Sequence, residues 1–356
     1  HRYYDVVTDQ VVGFSGGFHE CRPHTPAWET LWAVNEKVTR QMILAMAAAH
    51  EKDARTGRFC RHANPDAEPG VFSASEVDQA KPFLEAGAVL IDSVSWLSAK
   101  TDPPDRALTE TALRLARFSY AQRDERTGLI RNQPVDRRWD YFASTTELGL
   151  WVGSLLRAER RTGNGEFLTM AEKAIEPWLR LGYDPAAGKY FGSLSVQSGE
   201  PAPPLEPRAY SPPVFAEVFD LQQRPSHNYP MPMAEACLSL YERTGSPSYR
   251  QAAERWARHV RQSLPANNGQ GAYAEDYGRV IHFLARAADT LDRPQYRELA
   301  QRAADEAMET LFVPRMGMFR SHPGEDRCDA VDGPGILLLA LMYLDGGELP
   351  ESAFAF

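Results

Sequence analysis

Apolar side chains recur along the chain with the 3.6-residue period of an α-helix, in paired stretches divided by short breaks. The clearest pair lies in Tyr273–Leu311. Val280, Leu284, Ala287 and Leu291 lay one stripe on a first helix, and Tyr296, Ala300, Ala303 and Ala307 lay another on a second. Leu291-Asp-Arg-Pro294 between them is a helix stop followed by a proline suited to the first turn of the next helix.

This helical hairpin is repeated. Thr244-Gly-Ser-Pro247-Ser-Tyr249-Arg250-Gln-Ala-Ala253 aligns with Leu291-Asp-Arg-Pro294-Gln-Tyr296-Arg297-Glu-Leu-Ala300. Fainter copies sit at 161–171 and 100–122. A second signal follows the second helix of each pair: Asp53 before Gly57, Asp124 before Gly128 and Asp184 before Gly188, with Gly317 as a partial fourth. A glycine there suits a left-handed turn, and the apolar residue after it starts a short extended segment. The pattern predicts first-type helices near 83–99, 142–159, 232–243, 276–291 and 332–344, and second-type helices near 28–51, 105–122, 166–182, 248–263 and 295–311. Turns inside the pairs are short, whereas the connections into the first-type helices are long, so the long ones gather at one end, where binding residues are expected.

With 356 residues and 43% hydrophobic content, one large repeat-built domain over 1–356 is expected, with an N-terminal segment at 1–24 and long loops at 56–82 and 183–231 over a cleft. The net charge of −9 disfavours nucleic acid as a partner. No apolar run reaches the roughly 20 residues that span a bilayer, so no membrane association is expected. The chain begins at a histidine, as expected of a processed or trimmed segment whose export signal is gone, which favours the periplasm or secretion over the cytoplasm. Cys21, Cys60, Cys237 and Cys328 form no metal-binding spacing and are expected as buried thiols, or at most a Cys21–Cys60 disulfide. Dinucleotide, phosphate-loop and serine-elbow motifs are absent, and no cofactor or metal is expected.

The repeated turn, together with Glu275-Asp276-Tyr277 opening a first-type helix, resembles the six-hairpin α/α-toroid superfamily of glycoside hydrolases, polysaccharide lyases and sugar epimerases. The resemblance covers roughly residues 25 to 345. It implies an all-α, (α/α)6-type ring of five to six hairpins, short β segments in the loops at one end, and a carbohydrate substrate bound over the inner helices. The tryptophan-rich C-terminal motif of sugar 2-epimerases and the Trp-Arg-Gly-Asn-Gly type signature of unsaturated-uronide hydrolases are not found.

Five clusters near the inner-helix starts can carry chemistry. His227, Asn228 and Tyr229, with Glu235 beyond them, fit β-elimination: an amide or arginine neutralises a uronate carboxyl, a histidine or tyrosine removes the C5 proton, and a tyrosine protonates the leaving oxygen. The same residues also suit a cap on the helix that follows. Tyr273, Glu275, Asp276, Tyr277, Arg279 and His282 form the second cluster, with the favourable placement of acids in a first helical turn as the plain alternative. Arg138, Trp139, Asp140 and Tyr141 supply a cation, a stacking surface and a carboxylate that also fits as a helix cap. His322, Glu325, Asp326, Arg327, Asp329 and Asp332 offer carboxyls for hydrolysis or simply a solvated loop. His24 and Trp28 lie in the last cluster, where a metal reading finds no completing ligands.

The expected function is cleavage of glycosidic bonds in a uronate-containing poly- or oligosaccharide by β-elimination, with His227 as base, Asn228 and Arg279 neutralising the carboxyl, and Tyr277 as acid. The alternative is a hydrolase using Asp140 with Glu275, Asp276 or Asp332. A sugar epimerase or a non-catalytic glycan-binding toroid remain further alternatives. Oligomeric state is not legible in residue types.

Overall fold

The computed structural model describes residues 3–5, 7, 10–12, 27–61, 82–132, 142–202, 214–219, 229–325, 327–328 and 333–356. Its helices are α1 (Trp28–Val34), α2 (Glu36–His50), α3 (Leu84–Ser98), α4 (Arg106–Tyr120), α5 (Thr145–Thr162), α6 (Gly165–Leu181), α7 (Met231–Thr244), α8 (Pro247–Gln262), α9 (Ala274–Thr290), α10 (Gln295–Leu311) and α11 (Pro334–Leu344). Each predicted helix is present, with ends shifted by a few residues, except that the one expected at 28–51 breaks at Asn35. Asn35 has extended backbone there, and its side chain accepts a hydrogen bond from the Val38 amide and so caps α2.

The helices alternate between two layers. α3, α5, α7, α9 and α11 pack each against the next as an inner wall, while α4, α6, α8 and α10 each back onto the inner helix that precedes them in the chain. This alternation is the architecture of an α/α toroid, with α2 packed against α3 at the start of the arc. Burial separates the layers: every residue of α3 is buried, whereas α4 and α8 bury one stripe only. One continuous core of buried side chains runs from Phe59 to Phe356.

Backbones of the inner helices come into direct contact at glycines. A Cβ at Gly149 of α5 would stand 2.3 Å from the Met233 nitrogen of α7, and one at Gly278 of α9 would stand 2.8 Å from the Ile336 carbonyl of α11. Only hydrogen at those positions permits so close an approach.

The two recurring turns have distinct physical bases. α5 and α7 end on Gly163 and Gly245 in the left-handed region, and Asp292, aligned with Gly245, adopts the same conformation at φ 55°. In the second turn the glycine amide donates to the carbonyl four residues back, in Gly57 to Asp53, Gly128 to Asp124, Gly188 to Asp184 and Gly317 to Val313. The three aspartate side chains also accept from the amide two residues on. These turns close the small antiparallel pairs Glu51–Asp53 with Arg58–Phe59, Tyr183–Asp184 with Lys189–Tyr190, and Phe312–Val313 with Met318–Phe319. They are the short β segments expected after the outer helices.

Past α11 the chain turns back under the inner wall. Ser352 Oγ donates to Glu29 Oε2 (2.6 Å), and Arg157 NH2 donates to the Ala355 carbonyl (3.3 Å), so the C-terminal segment joins α11 to α1 and α5. Arg157 itself is held by Asp92, buried mid-way along α3.

Candidate active site

Three inner helices begin with a carboxylate. Glu85 in α3, Glu147 in α5, and Glu275 and Asp276 in α9 lie in the first turn, where the helix macrodipole favours negative charge. Glu235 sits in the second turn of α7. All but Glu275 are buried. Sequence reasoning passed over Glu85 and Glu147, although Ser144-x-x-Glu147 has the spacing of a capping box. Ser144 Oγ does donate to the Glu147 carboxylate, and Asn132 Nδ2 donates to Ser144 Oγ at 3.0 Å.

α7 and α9 together build a buried polar network. Arg279 Nε donates to Glu275 Oε1 one turn earlier (3.1 Å), and Arg279 NH1 lies 3.6 Å from Glu235 Oε2. The other oxygen of Glu235 meets His282 Nδ1 at 3.3 Å. Burial pushes the Glu235 carboxyl up, but the hydrogen bond to His282 and the charge of Arg279 outweigh it and hold the group below the ordinary carboxylate range. An ionised carboxylate only accepts, so His282 Nδ1 is the donor, and in the neutral ring Nε2 keeps its lone pair. The ring is kept neutral: burial, with Arg286 and Arg279 nearby, lowers its pKa below 6.5 against the opposing pull of Glu235. Among the described residues Nε2 has no hydrogen-bond partner, and His282 lines a cavity. The Phe354 ring stacks on the imidazole with centroids 3.6 Å apart and planes 5° from parallel, and Tyr343 meets it edge-on at 5.1 Å.

That cavity, of about 480 Å³, is within the usual size of small-ligand sites, about 300–1,000 Å³. It follows α5 and α7 from Gly149 and Pro232 down to Arg160 and Arg243, with Arg286 of α9 and the segment Leu349–Ala355 as its remaining walls. Arg286 stands one turn beyond His282 and donates to Glu242 Oε2 (2.6 Å) and Ser239 Oγ (3.1 Å).

The expected site residues separate into groups. Arg279, His282 and Glu275 come together in the network, whereas Tyr229 stands just before α7, where its carbonyl accepts from Thr146 Oγ1 at 3.0 Å. Asp276 is buried in the first turn of α9. Tyr277 is not brought to Arg279. Two residues apart on a helix, the side chains point to different sides, and the Tyr277 hydroxyl donates to Glu306 Oε1 on α10 at 2.7 Å, with its ring against Phe219. Burial and that carboxylate push the phenol up. Tyr273, His322, Glu325 and Arg327 form a separate cluster beside the start of α9, with Tyr273 and His322 rings 4.5 Å apart and Arg327 paired to Glu325. Trp28 donates to Ser93 Oγ and packs with Ile43, Trp96 and Leu97, so its indole lies in a core cluster rather than over the helix starts. His24, Arg138, Trp139, Asp140, Tyr141, His227 and Asn228 lie outside the described residues, as do Cys21, Asp326, Asp329 and Asp332. Cys60 and Cys237 are buried.

Residues 1–130, less than half of the chain, match a family described as periplasmic pectate lyase. No curated protein sequence matches the chain. Among solved structures it is similar to a GH76 α-mannanase of Bacteroides thetaiotaomicron, at 12% identity and TM-score 0.57, over 91% of this chain and 82% of that one. It is similar to a D-mannose isomerase at 14% identity and TM-score 0.58, over 90% and 81%. A polysaccharide lyase aligns at 12% identity and TM-score 0.56, over 94% and 93%. At these identities the shared property is the fold, carried by proteins whose names span hydrolysis, isomerisation and elimination. No described helix is long and apolar enough to cross a membrane. The chain has an α/α-toroid fold, which it shares with these solved structures.

Proposed function

We propose that the chain cleaves uronate-containing glycans by β-elimination, and that His282 is the base. The observation that carries this reading is the Glu235–His282 pair. A carboxylate fixes Nδ1–H, burial holds the ring pKa below the ordinary value, and the residue lines a cavity of ligand size. In this reading Nε2 takes the C5 proton of the uronate, the C4–O4 bond breaks as the C4–C5 double bond forms, and the leaving oxygen gains a proton. Arg286, on the cavity wall one turn from His282 and held by Glu242 through one nitrogen, meets the uronate carboxylate with its remaining donors and stabilises the enolate formed at C5. Arg279, already matched by Glu275 and Glu235, holds Glu235 in place. Tyr229 is the phenol that protonates the leaving oxygen, replacing Tyr277 in that role, and His227 and Asn228 immediately precede it in the sequence. The periplasm, named in the description of the matched family, is the proposed compartment.

Hydrolysis is the second reading, supported by the first-turn acids Glu85, Glu147, Glu275 and Asp276. It requires one carboxyl to stay protonated as general acid. Glu235, held ionised, does not meet that need. Incubation with polygalacturonate and alginate decides between the readings: elimination yields an unsaturated uronide with new ultraviolet absorbance, and reducing ends without that absorbance overturn it.

A further inference from the structure

The C-terminal segment reaches back across the molecule to touch one of the network residues, and it is anchored there more firmly than a surface tail needs. Glu351 accepts from Arg160 (3.3 Å) and Arg161 (3.0 Å), the Ala355 carbonyl accepts from Arg157, and Ser352 donates to Glu29. Arg157 and Arg161 are in turn fixed by Asp92, at 2.6 and 2.9 Å. Between these anchors Phe354 projects onto His282. An imidazole tethered at Nδ1 alone can still swing about that hydrogen bond. A flat ring at 3.6 Å on one face and the Tyr343 edge at 5.1 Å remove that freedom.

We propose that Phe354 is a positioning residue of the active site: stacked on His282 and held by the Glu351 and Ala355 anchors, it sets the plane of the imidazole on the cavity wall. The assignment of a catalytic purpose to this contact rests on the proposed elimination, but the contact's effect on His282 does not.

Stacking also shields one imidazole face from water. The charged groups facing the ring are Glu235 from α7, which favours the imidazolium, and Arg279 and Arg286 from α9, which oppose it. Tyr343 of α11 meets the ring edge-on. Arg157 and Arg160 of α5, Glu242 and Arg243 of α7, and Glu351 of the segment line the same cavity. A face-on aromatic favours a cation by itself; next to two arginines, the water excluded by Phe354 is the larger influence. Removing the ring therefore lets water reach His282 and raises its titration midpoint.

The test is NMR titration of the histidine ring resonances in wild type, Phe354→Ala, Phe354→Tyr and Glu351→Gln. The expected result is an upward shift of the His282 midpoint by about one unit in Phe354→Ala, a smaller shift in Glu351→Gln, recovery in Phe354→Tyr, and an unmoved His259, whose ring is buried on the Ala216 carbonyl elsewhere. An unchanged His282 midpoint in folded Phe354→Ala overturns the proposal. Should that variant fail to fold, an unchanged midpoint in Glu351→Gln does so. A shifted midpoint in a protein that gives no unsaturated uronide keeps the positioning role and removes the elimination reading. On uronate polymer, Phe354→Ala is expected to lower kcat with little change in KM and to move the acid limb of the pH profile with the NMR midpoint.

Discussion

Asp92 Oδ1 accepts hydrogen bonds from both Arg157 Nε and Arg161 NH1, so one carboxylate buried in α3 fixes two arginines of α5. Burial pushes the Asp92 carboxyl up, but Arg157 and Arg161 outweigh it and hold the group ionised. Asp92→Asn leaves the buried Arg157 guanidinium with a neutral partner and Arg161 with Glu351 alone. A loss of about 3–5 kcal/mol is expected, as for other broken buried ion pairs. Urea unfolding followed by circular dichroism measures it, and a midpoint close to wild type would show that the pair contributes little.

His282→Gln is expected to abolish elimination while leaving glycan binding largely intact. The wild-type kcat/KM should rise with pH through a midpoint below 6.5, because the neutral ring is the active form and burial depresses its pKa. The same shift has a stability consequence. A histidine with a depressed folded pKa binds protons more tightly when unfolded, so stability is lost as pH falls below about 6.5, and His282→Gln should remove that part of the loss. Glu235 adds a further loss below 4.5, since its folded pKa is also depressed.

Tyr277→Phe separates the phenol bound to Glu306 from a catalytic acid. Loss of the 2.7 Å bond should cost about 1–2 kcal/mol of stability and leave kcat close to wild type. Loss of a general acid would instead cost about 10²–10⁴-fold in rate. A fall of that size in a variant with intact circular dichroism would return Tyr277 to the acid role and remove Tyr229 from it.

Gly149→Ala places a methyl group against the α7 backbone, 2.3 Å from the Met233 nitrogen before relaxation. Backbone cannot swing aside as a side-chain end does, so α5 and α7 must part. A destabilisation of about 1–3 kcal/mol is expected, measured by thermal melting, and an unshifted melt would mean that the inner wall adjusts freely.

Asp292→Gly acts in the opposite direction. Asp292 holds φ 55° where its aligned partner is Gly245, and glycine takes that conformation without Cβ strain. A gain of up to about 1 kcal/mol is expected after allowing for the extra freedom of glycine in the unfolded chain, read as a raised midpoint in urea.

The scaffold was legible because its causes are local. Apolar periodicity, Gly163 and Gly245 as helix stops, and the Asp-to-Gly turns act within a few residues, and all appear where the pattern puts them. The site was legible only in part. Arg279 and His282 were flagged from one stretch, but the carboxylate that orients His282 comes from another helix, 47 residues away. Phe354 and Arg286 carry no motif at all and become visible only once the segment after α11 folds back. Tyr277, expected as the acid, bonds to Glu306 on α10, and its direction away from Arg279 follows from the helix period, since neighbours two apart diverge.

The Asp-to-Gly turns give this ring a particular evolutionary freedom. The helices α2, α4, α6 and α10 each end in a small, self-contained clasp whose hydrogen bonds are made within five residues, and the connection to the next inner helix departs only after that clasp has closed. Length added between clasp and helix, as in the long stretch from Tyr190 to Met231, leaves the register of the wall untouched. Such a ring can exchange the chemistry at its rim one connection at a time, which is in keeping with a hydrolase, an isomerase and a lyase among its structural neighbours.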